Sequence, residues 1–343
     1  MAEGYDVTQP SARRTEATTL ELREEAGDWH VFADRFDALE HNIERVLRGK
    51  HDQIRLALVG LVAEGHLLIE DVPGVGKTML AKAMARSIDC SFRRIQFTPD
   101  MLPTDITGVN VFNQERGDFE FRPGAVFANV VLGDEINRAS PKTQSALLEC
   151  MEERQVTIDA ETHPLGTPFI VVATQNPVEH EGTYPLPEAQ LDRFMMRLSV
   201  GYPDADVEAE ILATHTTGEP LNEIGPVCDA LAVAALIQQA HQVHVAPAIR
   251  RYIVDLVEGT RAHADVYLGA SPRASIMLLR ASRAFAAAAR RDYVIPDDVK
   301  ALAAPVLGHR IIVTADAAMA GRDTAAVITD ILATVDVPIA ERE

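Results

Sequence analysis

One short segment constrains the fold of this chain more than any other. Residues 66–70 form a short, mainly apolar run, as expected of a buried strand, and a turn rich in glycine separates them from a helix predicted to begin near Lys77. A strand, a glycine turn and a helix in direct succession place the first N–H groups of the helix beside the end of the strand. This order is typical of a phosphate-binding loop in an α/β domain.

The turn itself, DVPGVGKT, follows the pattern G-x-x-x-x-G-K-[ST] with one departure, because Asp71 occupies the first glycine position. We expect Lys77 to reach the β and γ phosphates of a bound nucleotide and Thr78 to bind Mg²⁺. Asp71 is expected to fit sterically, while its charge weakens nucleotide binding. The predicted nucleotide-binding residues of this segment are Val72, Pro73, Gly74, Val75, Gly76, Lys77, Thr78 and Met79.

A second apolar run, residues 126–132, is followed by two adjacent carboxylates, Asp134 and Glu135. The carboxyl ends of parallel strands form the ligand-binding edge of an open α/β sheet. At that edge Asp134 can hold Mg²⁺ through water, and Glu135 can polarise the water that attacks the γ phosphate. The pair therefore indicates nucleotide hydrolysis.

Three further polar features complete the predicted site. A strand at 169–173 leads into Gln175 and Asn176, whose neutral amides suit the positioning of a water molecule beside the γ phosphate. Arg193, near a predicted helix end, could supply positive charge to the nucleotide of a neighbouring subunit. Arg273 lies in the first turn of a long helix and could reach a phosphate from a second domain.

The chain from about Phe32 onward resembles the MoxR group of AAA+ ATPases, and four segments carry the resemblance: VPGVGKT, LGDEINRASPKTQSALLECMEERQVTI, VVATQNPVEHEGTYPLPEAQLDRFMM and SPRAS. The resemblance implies motif roles for the residues named above: Walker A for Lys77 and Thr78, Walker B for Asp134 and Glu135, sensor 1 for Asn176, the arginine finger for Arg193 and sensor 2 for Arg273. The predicted catalytic residues are Lys77, Glu135, Asn176 and Arg193. The predicted metal ligands are Thr78 and Asp134, and Arg273 is added to the predicted nucleotide-binding residues.

Two residues depart from the family pattern. Asp71 stands where the family usually has glycine, and Gly133 stands where a small or apolar strand residue is more usual. Gly133 leaves no packing side chain beside the acidic pair, so we expect a looser strand end there.

The resemblance also implies an architecture and a role. The expected fold is α/β, a P-loop AAA+ domain whose mostly parallel five-stranded sheet is flanked by helices, followed by a smaller all-α lid domain. The family implies a homo-oligomer, commonly a hexameric ring, that uses ATP and Mg²⁺ for chaperone-like remodelling, maturation or activation of client protein complexes. Partner proteins with a von Willebrand factor A domain are expected.

The change of sequence texture along the chain predicts its division. Residues 1–30 are polar and charged without sustained periodicity, which indicates a flexible tail. Strands and helices alternate over residues 31–203, as in a nucleotide-binding α/β domain. Alanine-rich helical patterns fill residues 204–343 and predict the helical lid.

Composition narrows the setting and the partners. The net charge of −19 repels phosphate backbones, so nucleic-acid binding is disfavoured. Three well-separated cysteines form no CxxC motif, which favours a reducing compartment. The chain shows no secretion-signal pattern and no apolar run of the roughly 20 residues that a membrane helix needs. We therefore expect a cytoplasmic protein without a membrane span.

Two insertions remain open to more than one interpretation. Residues 98–126 carry Phe112, Phe119 and Phe121, and residues 154–169 are predicted to form a hairpin with Glu161 and His163 at its tip. Either insertion could face the pore of a ring and contact a client. Alternatively, each could pack on its own domain.

Two other functions stay in view. The first is a nucleotide-binding switch or adaptor with little turnover, which the pair of carboxylates at 134–135 argues against. The second is a DNA-associated AAA+ motor, which the acidic charge disfavours.

Overall fold

The computed structural model describes residues 29–177, 182–215 and 219–338 of the chain. The predicted tail at 1–30 lies outside the described residues except for its last two positions. Helices and strands alternate along the first part of the chain. They are, in chain order, α1 (Trp29–Glu44), α2 (His51–Val62), β1 (Leu67–Glu70), α3 (Lys77–Ser87), β2 (Phe92–Gln96), α4 (Pro103–Thr107), β3 (Gly108–Asn113), β4 (Asp118–Pro123), β5 (Val130–Asp134), α5 (Pro141–Glu153), β6 (Gln155–Ile158), β7 (Glu161–Pro164), β8 (Ile170–Gln175), α6 (Glu188–Leu191) and β9 (Met196–Leu198).

The second part of the chain is helical, as predicted. Its elements are α7 (Ala205–His215), α8 (Ala230–Ala240), α9 (Pro247–Ala262), β10 (Val266–Leu268), α10 (Pro272–Ala288), α11 (Pro296–Leu307), β11 (Ile312–Val313), α12 (Ala315–Met319) and α13 (Thr324–Thr334). The antiparallel ribbon of β10 and β11 was not predicted, because strands of two or three residues leave no readable periodicity. None of the described helices is long and apolar enough to cross a bilayer.

The central sheet has five parallel strands in the order β2-β5-β8-β1-β9, which confirms the predicted fold class. The strand patterns located four of them. The fifth, β9, is three residues long and was expected only from the family resemblance. Because all five strands run the same way, their carboxyl ends share one edge of the sheet.

Strand β5 begins later than the sequence predicted. The prediction was residues 126–132, whereas the strand covers Val130–Asp134. The backbone turns before it, since the N–H of Ala128 donates to the carbonyl of Val126 at 2.8 Å. As a result Asp134 is the last residue of the strand and Glu135 is the first residue beyond it.

The sheet separates two apolar cores, and alternate residues of each strand enter them. In β1, Leu67 and Ile69 pack into the core formed with α1, α2, α3 and the helices of the lid, whereas Leu68 packs into the other core. The second core contains residues of α5, such as Leu147 and Leu148. Burial on both faces explains why the three inner strands β5, β8 and β1 are nearly continuous apolar runs.

Helix α5 runs from the carboxyl ends of the strands toward their amino ends. It begins at Pro141 after a short turn that follows β5, and the Ser140 hydroxyl accepts the N–H of Thr143 at its start. Its 13 residues correspond to about 20 Å of helix. Residues at its end, Glu152 and Glu153, are therefore carried away from the carboxyl ends of the strands.

Both insertions form β-hairpins, β3–β4 and β6–β7. The hairpins contact each other, since the rings of Phe121 and His163 stack at 4.0 Å between centroids. The prediction that His163 lies at a hairpin tip is wrong: it pairs with Val156 within the strands, and the turn is formed by Asp159 and Ala160.

The first hairpin also presents aromatic side chains to solvent. Phe112 and Phe119 pack edge to face at 5.3 Å and are both exposed. The two interpretations of this insertion are thus not exclusive, because one hairpin packs on its own domain and still exposes an apolar pair.

Candidate nucleotide-binding site

The loop between β1 and α3 requires glycine at two positions. Gly74 and Gly76 have φ angles of 88° and 99°, in the left-handed region that side chains disfavour. A Cβ atom on Gly76 would lie 2.7 Å from Cδ1 of Leu47, whereas nothing lies within 4 Å of one on Gly74. Backbone conformation therefore favours glycine at both positions, and at the second position a side chain would also have to push the terminal methyl of Leu47 aside.

Lys77 opens helix α3 at the end of this loop. Its ammonium group donates to the carbonyl oxygen of Asp71 at 2.7 Å, which closes the loop onto the lysine. Partial burial lowers the pKa of Lys77, while Asp71, Asp134 and Glu135 favour its charged form. The lysine thus remains a cation beside the N-terminus of a helix, which is where phosphate groups bind.

Most hydrogen bonds of the Asp71 carboxylate lead away from the phosphate loop. One carboxylate oxygen accepts the N–H of Val72 at 2.9 Å; the other accepts the Ser199 hydroxyl at 3.0 Å and the N–H of Gly201 at 2.7 Å. Burial would raise the pKa of Asp71, but these hydrogen bonds outweigh it and leave the pKa below its ordinary value. Asp71 does not occupy the left-handed region that would have explained a glycine here. It anchors the start of the loop to the chain that follows β9.

The two adjacent carboxylates are positioned by a residue that the sequence analysis did not single out. The hydroxyl of Thr174, on β8, donates to Asp134 Oδ1 at 2.6 Å and accepts the N–H of Glu135 at 2.9 Å. Glu135 has φ 60° and ψ 52°, an uncommon conformation for a side chain of this size. Thr174 thereby holds the sharp turn that separates the two acids.

Strand β2 adds two polar side chains to the same edge. Arg94 donates to Asp134 Oδ2 at 2.6 Å, and the amide of Gln96 donates to Glu135 Oε2 at 2.8 Å. Arg138 also contacts Glu135 Oε2, at 3.2 Å. Arg94 and Gln96 lie two residues apart and so share one face of the strand, a period-2 signal that could have identified them.

Most of the predicted site residues meet in one cleft of about 390 Å³. Its walls come from the loop, from the ends of β5 and β8, and from β2. The predicted residues that line it are Pro73, Gly74, Gly76, Lys77, Thr78, Met79, Asp134, Glu135 and Asn176.

A smaller pocket of about 180 Å³ lies beside the same loop and shares Gly74, Gly76 and Met79 with the cleft. Val75 lines this pocket, while Val72 packs against the core and lines neither space. The sequence analysis missed the other walls, which come from distant parts of the chain: Arg45, Val46, Leu47, Arg48, Lys50, Pro203, Ile211 and Pro220.

Gly133 leaves no gap at the end of β5, where we expected a looser strand end. A Cβ atom there would lie 3.1 Å from the ring of Phe97 and 3.6 Å from Leu147, so neighbouring side chains already fill the space. Gly133 also keeps its register with Ile95 and Ala173 on both sides. The glycine makes room for the aromatic ring beside the acidic pair.

The two predicted arginines lie together and away from the cleft. Arg193 and Arg273 both contact Glu152 Oε2, the first at 3.5 Å and the second in a closer ion pair. The hydrogen bond from Arg273 lowers the pKa of Glu152. About a third of each arginine side chain is exposed. We call these three residues the arginine cluster.

The arginine cluster lies near the amino ends of the strands, whereas the phosphate loop lies at their carboxyl ends. The pocket beside it is lined by Gly65 and His66, which precede β1, whereas the loop follows β1. A four-residue strand spans about 13 Å. Arg273 therefore does not line the cleft, although it was predicted among the nucleotide-binding residues.

The oxygen atoms available in the cleft fit a magnesium ion that is bound together with phosphate. Mg²⁺ is typically held by one or two protein oxygens, water and the substrate's phosphates. Thr78 and Asp134 offer a hydroxyl and a carboxylate that line one space. Within the described ranges, no cluster of three or more His, Cys, Asp and Glu side chains could bind a metal ion unaided.

Comparison with known proteins extends the likeness over nearly the whole chain. Residues 66–196 match the ATPase family associated with various cellular activities (AAA), and residues 258–331 match an AAA lid domain. The uncharacterised protein YeaC of Bacillus subtilis is 50% identical over 302 residues, which cover 88% of this chain and 94% of YeaC. Chaperone MoxR1 of Mycobacterium tuberculosis is 43% identical over 306 residues, which cover 86% of this chain and 80% of MoxR1.

A solved structure agrees with these matches. The crystal structure of a candidate ATPase from Cytophaga hutchinsonii has a TM-score of 0.85 and 39% identity, covering 94% of this chain and 99% of that one. The family predicted from the motifs is thereby confirmed, together with its nucleotide-binding and ATP-hydrolysing activity. The chain belongs to the MoxR family of AAA+ ATPases.

Proposed function

We propose that this protein couples Mg²⁺-dependent ATP hydrolysis in a homo-oligomeric ring, hexameric as is common in the family, to the remodelling, maturation or activation of client protein complexes in the cytoplasm. AAA+ ATPases are typically oligomeric. The observation that carries the proposal is the cleft in which the phosphate loop, two adjacent carboxylates and a strand-end amide face one another. We propose the domain boundaries 31–203 and 204–343 for the nucleotide-binding domain and the lid.

In this proposal the phosphate loop holds the triphosphate. The N–H groups at the start of α3 face the β phosphate, and the Lys77 ammonium exchanges the Asp71 carbonyl for phosphate oxygens. Thr78 and Asp134 hold Mg²⁺, which neutralises phosphate charge when bound. The base of the nucleotide occupies the smaller pocket, where Leu47, Val75 and Met79 provide apolar walls.

Glu135 is the proposed general base. Its Oε2 is engaged by Gln96 and Arg138, and we assign to Oε1 the proton of the attacking water. Asn176, buried at the end of β8, positions that water through its side-chain amide. The bond between Thr174 and the backbone of Glu135 fixes the direction of the base.

In this proposal the arginine cluster supplies positive charge to a nucleotide bound in another subunit. Two guanidinium groups share one carboxylate, so the cluster carries surplus positive charge, and both are partly exposed. We propose that Arg193 and Arg273 contact the γ phosphate bound in the neighbouring subunit, where they stabilise the charge that develops in the transition state. The position of Arg273 at the far edge of the sheet supports action in trans.

Clients are proposed to meet the exposed end of the β3–β4 hairpin. Phe112 and Phe119 are 51% and 66% exposed there, an unusual position for an aromatic pair. Partner proteins with a von Willebrand factor A domain are the proposed adaptors. Their presence in this system rests on the family resemblance.

Glu135→Gln tests the proposed chemistry. The substitution keeps the shape of the side chain and removes the base, so we expect normal ATP binding and a loss of roughly 10²- to 10⁴-fold in steady-state phosphate release. Glu258→Gln, at an exposed glutamate on α9, is the matched control and should leave turnover unchanged. Unaltered hydrolysis by Glu135→Gln would refute the assignment, and a wild-type protein without measurable turnover would favour the switch alternative.

A further inference from the structure

Arg310 is a buried arginine that serves neither the nucleotide cleft nor the arginine cluster directly. It lies in the turn between α11 and β11 of the lid, and its side chain is 2% exposed. Its Nε donates to Asp192 Oδ1 at 2.7 Å and its Nη2 to the Asp192 carbonyl at 3.1 Å. Further bonds reach the carbonyls of Phe194 and Met195. The guanidinium therefore binds the chain on both sides of Arg193.

Holding a cation at this depth requires compensation. Burial lowers the pKa of Arg310 to about 10 against the opposing effect of Asp192, so the group is charged at neutral pH, and its carboxylate and carbonyl partners replace the water it has lost. A planar guanidinium can bond several acceptors at once in a fixed geometry, which an apolar side chain of the same size could not do. The arrangement fixes the direction of one short segment rather than filling space.

Asp192 connects the same arginine to the second member of the cluster. Its Oδ2 accepts the hydroxyl of Ser271 at 2.8 Å, and Ser271 is the residue before α10. Arg273 lies two residues further along, in the first turn of that helix. One carboxylate thus joins Arg310, the segment that carries Arg193 and the helix that carries Arg273.

We propose that Arg310 is a positioning residue that, through Asp192, presents Arg193 and Arg273 together to the neighbouring subunit's nucleotide. This inference rests on the proposed action of the two arginines in trans. The lid then controls hydrolysis in the adjacent subunit rather than in its own, because the contact that fixes the arginines spans the two domains. A displacement of the lid would release both arginines at once.

Mixed oligomers test this inference, because a subunit with misplaced arginines can still hydrolyse ATP if its neighbour supplies them. Asp192→Asn removes the charge opposite Arg310 and keeps an acceptor for Ser271. We expect its turnover alone to fall by about tenfold or more, with nucleotide affinity within about twofold of wild type by fluorescent ATP-analogue titration. Mixing it with Lys77→Ala subunits, which keep their arginines, should restore activity; mixing it with Arg193→Ala should not.

Two controls separate this inference from a purely structural contact. Asp265→Asn alters a carboxylate that pairs with an arginine, Arg322, within the lid, and should leave turnover unchanged. If Asp192→Asn subunits do not fold, as judged by thermal melting, Asp192→Asn combined with Arg310→Met removes both charges and is put through the same mixtures.

The outcomes distinguish the two proposals. Recovery of activity by Arg193→Ala with Lys77→Ala, but not by the Asp192 variant with Lys77→Ala, overturns the role of Arg310 and leaves the action in trans intact. Recovery by neither mixture overturns both. Wild-type turnover by Asp192→Asn alone also overturns the inference, whereas recovery confined to mixtures with Lys77→Ala supports it.

Discussion

The nucleotide cleft and the arginine cluster differ in how their charges are compensated. In the cleft, Asp134 is paired with Arg94 and Glu135 with Arg138, while the Lys77 ammonium donates to the carbonyl oxygen of Asp71. In the cluster, two arginines share Glu152. The positive charge of the cleft therefore lies on a lysine at the start of a helix, whereas that of the cluster lies on two partly exposed arginines.

The two regions also differ in how far apart in sequence their parts lie. The phosphate loop is contiguous, and it is followed directly by the helix whose N–H groups it presents. The cluster joins the end of α5, the segment after α6 and the start of α10. In the proposed function they are complementary halves of a site that forms between subunits.

Lys77→Ala and Arg193→Ala should separate the two halves. We expect each to lower turnover by about 10³-fold or more, roughly 4 kcal/mol of activation free energy. Lys77→Ala removes the ammonium group that binds the phosphates, and Arg193→Ala removes the positive charge that acts on the neighbouring subunit's nucleotide. Only Lys77→Ala should also abolish nucleotide binding, measured by calorimetry. Comparable loss of binding in Arg193→Ala would place that arginine in the cleft of its own subunit and end the comparison.

Stability near the cluster should depend on pH through His66. This ring is buried, its Nε2 lies 2.9 Å from the Met151 carbonyl and its Nδ1 accepts the N–H of Val171, and burial lowers its pKa to about 4. The unfolded chain binds the proton more readily than the folded protein does. The contribution of neutral His66 to the free energy of unfolding is therefore complete above about pH 6.5 and is lost as the pH falls toward 4, in total about 3 kcal/mol.

Denaturant unfolding of wild type and His66→Gln at pH 7.5 and 5.5 measures this effect. Glutamine cannot titrate but can still donate and accept, so the wild type should lose about 1 to 1.5 kcal/mol more than the variant over this interval. Parallel losses in both proteins would show that His66 is not the titrating group.

The two loop glycines provide a finer test of the cleft. Gly76→Ala forces a Cβ atom to within 2.7 Å of Leu47 as well as straining the backbone, whereas Gly74→Ala meets only the backbone cost. We expect losses of about 2 to 3 kcal/mol and about 1 kcal/mol in unfolding free energy, respectively. Equal losses from thermal or denaturant unfolding would mean that Leu47 moves aside.

The smallest predicted effect concerns Arg94, which pairs with the proposed metal ligand Asp134. This cation competes with Mg²⁺ for the carboxylate, so Arg94→Met should lower the Mg²⁺ concentration needed for half-maximal nucleotide binding by about two- to fivefold. The exposed Arg93 on the same strand gives a matched control, Arg93→Met. A higher Mg²⁺ requirement in Arg94→Met would mean that the arginine assists the metal instead.

The sequence by itself determined the parts of this protein that depend on near neighbours in the chain. The glycine turn and Lys77, the acids after β5 and the amide after β8 each follow a buried strand, and parallel strands bring their ends to one edge. That reasoning found the cleft without knowing the fold in detail. It also identified Arg193 and Arg273 as candidates, because their short motifs are local as well.

Only the tertiary structure decided where these parts lie relative to each other. The direction of the Asp71 carboxylate, the hydroxyl of Thr174 between the acids and the bonds of Arg310 around Arg193 all join residues that are distant in sequence. Periodicity reports which face of an element is buried, but it carries no information about the partner across the contact. Arg193 lies before β9, at the amino ends of the strands, and the packing of the lid there sets Arg273 apart from the phosphate loop as well.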